Sequence, residues 1–169
     1  MSYEEHRELS RETPVRAAVI TVSDTRKEET DTSGRYLRDA FRGAGIDIVD
    51  TRIVPDDAGA ISAAIDELAP HCEVIVTSGG TGISKRDTTI EVVERKVEKE
   101  LPGFGEIFRM LSYEEIGSGA MLSRAAAGLY GEVLLFALPG SSNAVRLAAE
   151  RLILPEIEHL VWEVIRQRT

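Results

Sequence analysis

Apolar positions fall in short blocks that alternate between two spacings. Val15 to Val22 is an almost unbroken apolar run, Ser33 to Arg42 reads as helical behind a polar loop, and Ile46 to Val54 follows a Gly43-Ala44-Gly45 break. That order predicts strand, helix, strand. Asp57 is placed to cap the next helix, where Ile61, Ala64, Ile65 and Leu68 fall at i, i+3, i+4 and i+7 and form one apolar stripe. Val74 to Thr77 follows as a short buried strand. Beyond a glycine-rich loop, Ile90, Val93 and Val97 mark a helical face whose wet side carries Glu91, Glu94, Arg95, Lys96 and Glu98, and Pro102 interrupts that stretch.

Gly103 to Glu114 predicts a further helix, and Val133 to Leu138 is a continuous apolar run of the kind buried on both faces of a parallel sheet. Pro139-Gly140 ends it. Two helices close the pattern, Asn143 to Leu152 and one opening at Pro155, whose Ile157, Leu160, Val161 and Val164 repeat the helical spacing. Strands alternating with helices predict an α/β fold of three layers, a mostly parallel sheet flanked by helices. Residues 15–169 form its single domain. Residues 1–14 carry many charges and little to bury, which predicts a flexible N-terminal arm or a short helix lying on a neighbour.

Composition narrows the partners. At 169 residues and 43% hydrophobic content the chain suffices for one core without a disulfide or structural metal. Acidic residues outnumber basic ones by 29 to 20, and a net charge of -9 repels a nucleic-acid backbone or an anionic membrane. With one cysteine, Cys72, no internal disulfide can form, so a reducing, cytoplasmic setting is expected. Cys72 itself reads as a small buried residue rather than a nucleophile, since His71 is the one histidine near it in sequence. His6, His71 and His159 stand too far apart in sequence for a zinc motif, and His159 reads as surface or subunit contact. Met1 to Thr13 lacks the apolar centre of a signal peptide, and Val133 to Leu138 is too short to span a bilayer.

In open α/β sheets ligands sit beyond the carboxyl ends of the strands. Those ends read Thr21-Val22-Ser23-Asp24, Val54-Pro55-Asp56-Asp57, Thr77-Ser78-Gly79-Gly80-Thr81-Gly82 and Leu138-Pro139-Gly140-Ser141-Ser142-Asn143, which concentrates small hydroxyls, glycines and carboxylates. Ser78 to Gly82 lets backbone N–H groups approach a ligand, an anion cradle by composition and equally a tight strand-to-helix turn. It is neither a Walker A loop nor a dinucleotide fingerprint, because Lys85 stands where the third glycine would be. Asp24, Asp56 and Asp87 can converge there and recruit Mg²⁺, while Asp31 and Asp57 are better read as helix caps. Lys85-Arg86 beside Asp87 mixes basic and acidic groups in the way a metal-bound polyphosphate requires. Phe104, Phe108, Met110 and Leu111 read as packing at an interface.

Taken in order, Thr21 to Asp24, Asp31-Thr32-Ser33-Gly34, Ser78 to Gly82, Arg86-Asp87, Pro102-Gly103-Phe104-Gly105-Glu106 and Leu138 to Ser141 resemble the MogA/MoaB family of molybdenum cofactor biosynthesis. The likeness runs from Val15 to Trp162, extends to gephyrin-type and MoeA-type domains, and in Phe108 to Gly117 and Ser123-Arg124-Ala125 is nearest the MoaB branch. It implies a molybdopterin-binding fold, a homotrimer or homohexamer, that adenylylates molybdopterin with Mg-ATP before a MoeA-type partner inserts molybdate. Position by position, the resemblance implies catalytic, metal-holding roles for Asp56 and Asp87. Ser78, Gly79, Gly80, Thr81 and Gly82 would hold the pterin phosphate, with Ser23, Asp24, Pro139, Gly140 and Ser141 completing the substrate contacts. Lys85, Arg86 and Arg124 would neutralise charge. The loop Thr25 to Thr30 departs from the MogA and gephyrin branches, having Arg26-Lys27-Glu28-Glu29 where a glycine is common. A non-catalytic pterin carrier and a CinA-like nucleotide-processing enzyme are the competing functions.

Overall fold

Six strands make one sheet in the order β2-β1-β3-β6-β5-β4. The computed structural model describes residues 2–11 and 13–166. Strands β1 (Arg16–Val22), β2 (Asp47–Val54), β3 (Val74–Ser78) and β6 (Val133–Leu138) are parallel. Strands β5 (Ala126–Tyr130) and β4 (Lys99–Glu100) add an antiparallel edge, and the β5–β6 turn passes through Gly131 at a positive φ. The three inner parallel strands, β1, β3 and β6, are apolar runs of the sequence, whereas β2 at the other edge carries Asp47, Asp50, Thr51 and Arg52 among its apolar residues. The edge pair escapes pattern reading, because Ala126-Ala127-Gly128-Leu129-Tyr130 has weak β character and β4 spans two residues.

Alternation along the strands divides the interior into two cores. Ala17, Val19, Val74, Val76, Leu134, Phe136 and Leu138 face α2 (Thr32–Gly43), α5 (Pro102–Ile116), α6 (Ser142–Ala148) and α7 (Leu154–Arg166). Ala18, Ile20, Val22, Ile75, Val133, Leu135 and Ala137 face α3 (Ala58–Leu68) and α4 (Thr89–Lys96). Strands sandwiched in this way need apolar residues at every position, which explains their unbroken runs. The three-layer arrangement is therefore as expected.

Helix starts follow local chemistry. Asp31 accepts the Gly34 N–H at 3.0 Å to cap α2, Asp57 accepts the Ala60 N–H at 2.9 Å to cap α3, and Ser141 accepts the Ala144 N–H at 3.3 Å to cap α6. Pro102 opens α5 from its first turn, where a missing N–H leaves no bond unmade. A π-type segment, Ala149–Ile153, carries α6 directly into α7. Phe104, Phe108 and Leu111 turn into the chain's own core rather than to an interface, and Met110 alone of that group is exposed. The outward stripe of α5 is instead Ile107, Met110, Tyr113 and Ile116.

The N-terminal residues form α1 (Tyr3–Ser10), a helix on the chain's own α7. Ser2 and Glu5 close it reciprocally as a capping box, and Ser10 is buried. No helix of the described residues is long and apolar enough to cross a membrane.

Phe108 is fully buried, stacked on Phe104 with ring centroids 6.3 Å apart. Phe108→Ala leaves a cavity that the sheet cannot collapse to fill, so it is expected to lower stability by about 3–5 kcal/mol. The urea midpoint checks this; a shift equivalent to less than about 1 kcal/mol would mean that the α5 core is loosely packed.

Candidate functional site

The register of the parallel strands brings their carboxyl ends level: Val54 lies opposite Val22, Ser78 opposite Thr21, and Leu138 opposite Ser78. Chain order reverses at β1, with β2 to one side and β3 to the other, and that crevice is where a ligand fits an open α/β sheet.

The loop after β3 forms the floor. Gly79 and Gly80 both have positive φ, at 99° and 65°. A Cβ on Gly79 would stand 2.3 Å from the Val22 carbonyl oxygen, and one on Gly80 would stand 2.3 Å from Thr89 Oγ1 and 3.0 Å from Asp56 Oδ1. Glycine is required at both by conformation and by space. The Gly79 N–H donates to the Leu138 carbonyl at 3.0 Å, and the Thr89 N–H donates to the Gly80 carbonyl at 3.0 Å, which closes the loop at its base. Gly140, in the loop after β6, lies so near that a Cβ there would be 3.1 Å from Gly79 Cα. Ser33 reaches over from the start of α2 to donate to the Gly140 carbonyl at 2.9 Å.

Around this floor stand the carboxylates. Asp24 Oδ1 accepts the Asp56 N–H at 3.0 Å, and its other oxygen pairs with Arg86, so Asp24 joins the β1, β2 and β3 loops. Asp87 accepts the Ser84 N–H at 3.0 Å. Burial, then the nearby charges of Asp87 and Asp24, raise the Asp56 carboxyl above the ordinary carboxylate range, against the opposing effects of a Thr88 backbone hydrogen bond and Arg86. Among the described residues, the buried side-chain polar atoms without a hydrogen-bond partner are Asp56 Oδ1, Ser78 Oγ, Thr88 Oγ1 and Thr89 Oγ1. All four border the glycine loop. Buried oxygens in native folds are ordinarily satisfied, so a group of them in one crevice makes it a candidate place for ordered water, an ion or a ligand.

Sequence-predicted residues separate into three groups. Asp24, Asp56, Asp87, Arg86 and Ser78 to Gly82 come together. Ser23 binds its own loop, accepting the Arg26 N–H at 3.1 Å, while Pro139, Gly140 and Ser141 adjoin the floor through backbone and a helix cap. Arg124 sits behind the loop: it donates to the Thr81 carbonyl at 2.9 Å and forks onto Glu91 at 2.8 and 3.2 Å, bracing the loop with its charge already matched. Lys85 is exposed at the rim.

Pattern reading missed Thr88, Thr89 and Ser33. The run Arg86-Asp87-Thr88-Thr89 carried the signal in its two added hydroxyls. Asp31 does more than cap, since Thr21 donates to its second oxygen at 2.7 Å within a buried pair. This pair borders a cavity of about 290 Å³ between β1, β2 and α2.

A carboxyl group with a raised pKa favours its neutral form in the fold, so ionised Asp56 subtracts stability above its folded pKa. That loss disappears as pH falls below the unfolded value near 3.8. Asp56→Asn should therefore raise the ligand-free urea midpoint at pH 7, with the two proteins converging as the pH approaches the carboxylate range. A lower midpoint for the variant at pH 7 would contradict this account of Asp56.

Comparison with known proteins shows the family. The model of a "Probable molybdopterin binding domain" matches residues 18–159. The chain is 49% identical over 172 residues to molybdenum cofactor biosynthesis protein B of Bacillus cereus, covering 99% of this chain and all of that one. A crystal structure of a molybdenum cofactor biosynthesis protein B superposes with a TM-score of 0.88 at 50% identity, over 92% of this chain and 98% of the other. The tungsten cofactor synthesizing protein MoaB from Pyrococcus furiosus does so with a TM-score of 0.82 at 39% identity, over 90% and 98%. With a match over residues 18–159 and relatives this similar over nearly the whole chain, the chain belongs to the molybdopterin-binding-domain family that includes the MoaB proteins.

Proposed function

We propose that this chain acts in molybdenum cofactor biosynthesis as a molybdopterin adenylyltransferase, moving AMP from ATP to the terminal phosphate of molybdopterin. The observation that carries the reading is Asp56. Its Oδ1 is buried without a partner, its ionised form is disfavoured by burial and then by the charges of Asp87 and Asp24, and it lies against the backbone of the Gly79-Gly80 turn.

Three carboxylates with an unsatisfied oxygen are hard donors and fit Mg²⁺, which Asp56 and Asp87 would hold. Bound there, the ion supplies charge neutralisation between two anionic substrates. In the reaction, a terminal phosphate oxygen of molybdopterin forms a bond to the α-phosphorus of ATP as the bond to the bridging oxygen breaks, and pyrophosphate leaves. A phosphate monoester with a second pKa near ~6 is already ionised at neutral pH, so no side chain need act as a base. The protein's task is positioning. The Ser78 to Gly82 loop would receive the pterin phosphate through N–H groups beyond Gly79, whose own N–H is engaged by the Leu138 carbonyl, and Lys85 and Arg86 at the rim would offset the charge of the incoming polyphosphate. Arg124 would act one step removed, by holding the Thr81 carbonyl and hence the loop.

The exposed stripe of Ile107, Met110, Tyr113 and Ile116, continued by Met121 and Leu122, supports assembly into trimers or pairs of trimers. Light scattering should give three or six times the 18.5 kDa chain mass, and a monomer at micromolar concentration would overturn the assembly. A MoeA-type protein would take the adenylylated product for molybdate insertion.

The decisive assay measures pyrophosphate release from Mg-ATP with and without molybdopterin. Release dependent on molybdopterin is expected. Asp56→Asn and Asp87→Asn should each cut it on the order of 100-fold while leaving pterin binding intact, because they remove the charge that holds the cation and not the cradle. Pterin binding without release in the parent protein would make it a carrier. Nucleotide turnover indifferent to pterin would make it a nucleotide-processing enzyme of the same fold.

A further inference from the structure

Sequence spacing excludes a zinc motif, yet folding brings two of the three histidines together from opposite ends of the chain. His6 on α1, with His159 and Glu163 on α7, each offer one ligand atom, and these atoms lie within 4.8 Å of one another. His6 Nδ1 is 2.7 Å and His159 Nε2 is 3.6 Å from the same Glu163 oxygen. The side chains are 20%, 15% and 28% exposed, so the cluster is sheltered but open to ions.

The surroundings hold one ring as a ligand. His159 Nδ1 lies 3.2 Å from Glu156 Oε2, and the Tyr3 hydroxyl donates to the other Glu156 oxygen. With Nδ1–H donating to Glu156, the Nε2 lone pair is left on the side of Glu163. A carboxylate behind an imidazole in this way is how metal-bound histidines are oriented. Tyr3 meets the His159 ring edge-on at 5.5 Å and Trp162 meets His6 at 5.4 Å, walling the cluster. Two ligands on a tetrahedral ion, each bound at about 2.0–2.1 Å, stand about 3.4 Å apart, near the observed 3.6 Å between Nε2 and Oε1. His6 would bind through Nδ1 in the tautomer that carries its proton on Nε2, its ring withdrawing by about 0.7 Å from the carboxylate to reach that same spacing.

We propose that His6, His159 and Glu163 form a site for a divalent transition-metal ion of the Zn²⁺ kind, with water completing the shell, that clasps α1 to α7. Two imidazoles and one carboxylate select such ions over Mg²⁺, so this site is chemically distinct from the carboxylate cluster at the strand ends. Its consequence is mechanical: α1 exchanges a few polar contacts for a coordinate link to the body of the domain.

The test uses untagged full-length protein stripped with EDTA and titrated calorimetrically with Zn²⁺ in millimolar Mg²⁺. One Zn²⁺ per chain is expected, and Co²⁺ should show the visible absorption of a tetrahedral site. His6→Gln and His159→Gln should each weaken binding by about tenfold or more, and Glu156→Gln, which removes no ligand but alters the support of His159 and the acceptor of the Tyr3 hydroxyl, by about tenfold. Asp56→Asn with Asp87→Asn should leave it unchanged. Zn²⁺ should also slow amide exchange in α1 of the parent protein and not of the His159→Gln variant, which keeps every α1 residue. No Zn²⁺ binding by the parent, equal affinity in the histidine variants, or loss confined to the aspartate variant would overturn the proposal.

Discussion

Three strand ends converge on one point because two residues there lack side chains. Gly79 lies against the carbonyl of Val22 and Gly140 lies against Gly79, so the loops after β1, β3 and β6 meet backbone to backbone. A single methyl group at Gly79 would need space already taken by the Val22 carbonyl, forcing β1 and β3 apart where they should be level. Everything that gives the crevice its chemistry hangs from this contact. It fixes where Gly80 turns, hence where Thr89 and Asp56 stand, and through the Ser33 bond to Gly140 it ties in the start of α2.

Against that rigid floor the fold holds groups that oppose one another. Asp56 is partly buried, faces the charges of Asp24 and Asp87, and keeps an oxygen unsatisfied. Core packing on both sheet faces is what holds such a group in place. Locally unfavourable electrostatics kept in place by a well-packed scaffold are a frequent feature of binding and reaction centres, since a ligand that relieves them binds with the relief added to its contacts.

The inner strands β1, β3 and β6 and the helices between them were legible in the sequence because strands covered on both faces require unbroken apolar runs, and their helices require stripes; β2, at an edge, was legible from the Gly43-Ala44-Gly45 break before it. β4 and β5 were not, since an edge needs little burial and pairing gave Ala126 to Tyr130 a strand geometry its residues only weakly prefer. The spacing of the α5 aromatics tells of a buried face and cannot tell which surface buries it, here the chain's own core and not a neighbour. In the site, Asp24, Asp56 and Asp87 could be named from their position after strands, whereas Ser33 takes its role from a bond to Gly140, 107 residues on, and Thr88 and Thr89 take theirs from the folding of the β3 loop back on Gly80 and Asp56. The histidine cluster lies furthest beyond pattern reading, because its ligands are separated by almost the whole chain.

Charge poses a last problem for a protein that would handle two anions. A net charge of -9 repels phosphates at long range, yet at physiological ionic strength exposed charges farther than about 8 Å apart are largely screened. What an arriving phosphate meets is the local arrangement, and that is graded. Lys85 and Arg86 stand exposed at the rim, the backbone N–H groups of the glycine loop lie inward, and the carboxylates lie beside them where only a cation can reconcile them with a phosphate. Arg86 already pairs with Asp24, and Arg124 with Glu91, so both of these arginines are shared with a carboxylate and offer a partial rather than a full charge. An arrangement of this kind disfavours tight capture of a bare anion and favours an anion that brings its own metal ion, which is the form in which nucleoside triphosphates are used.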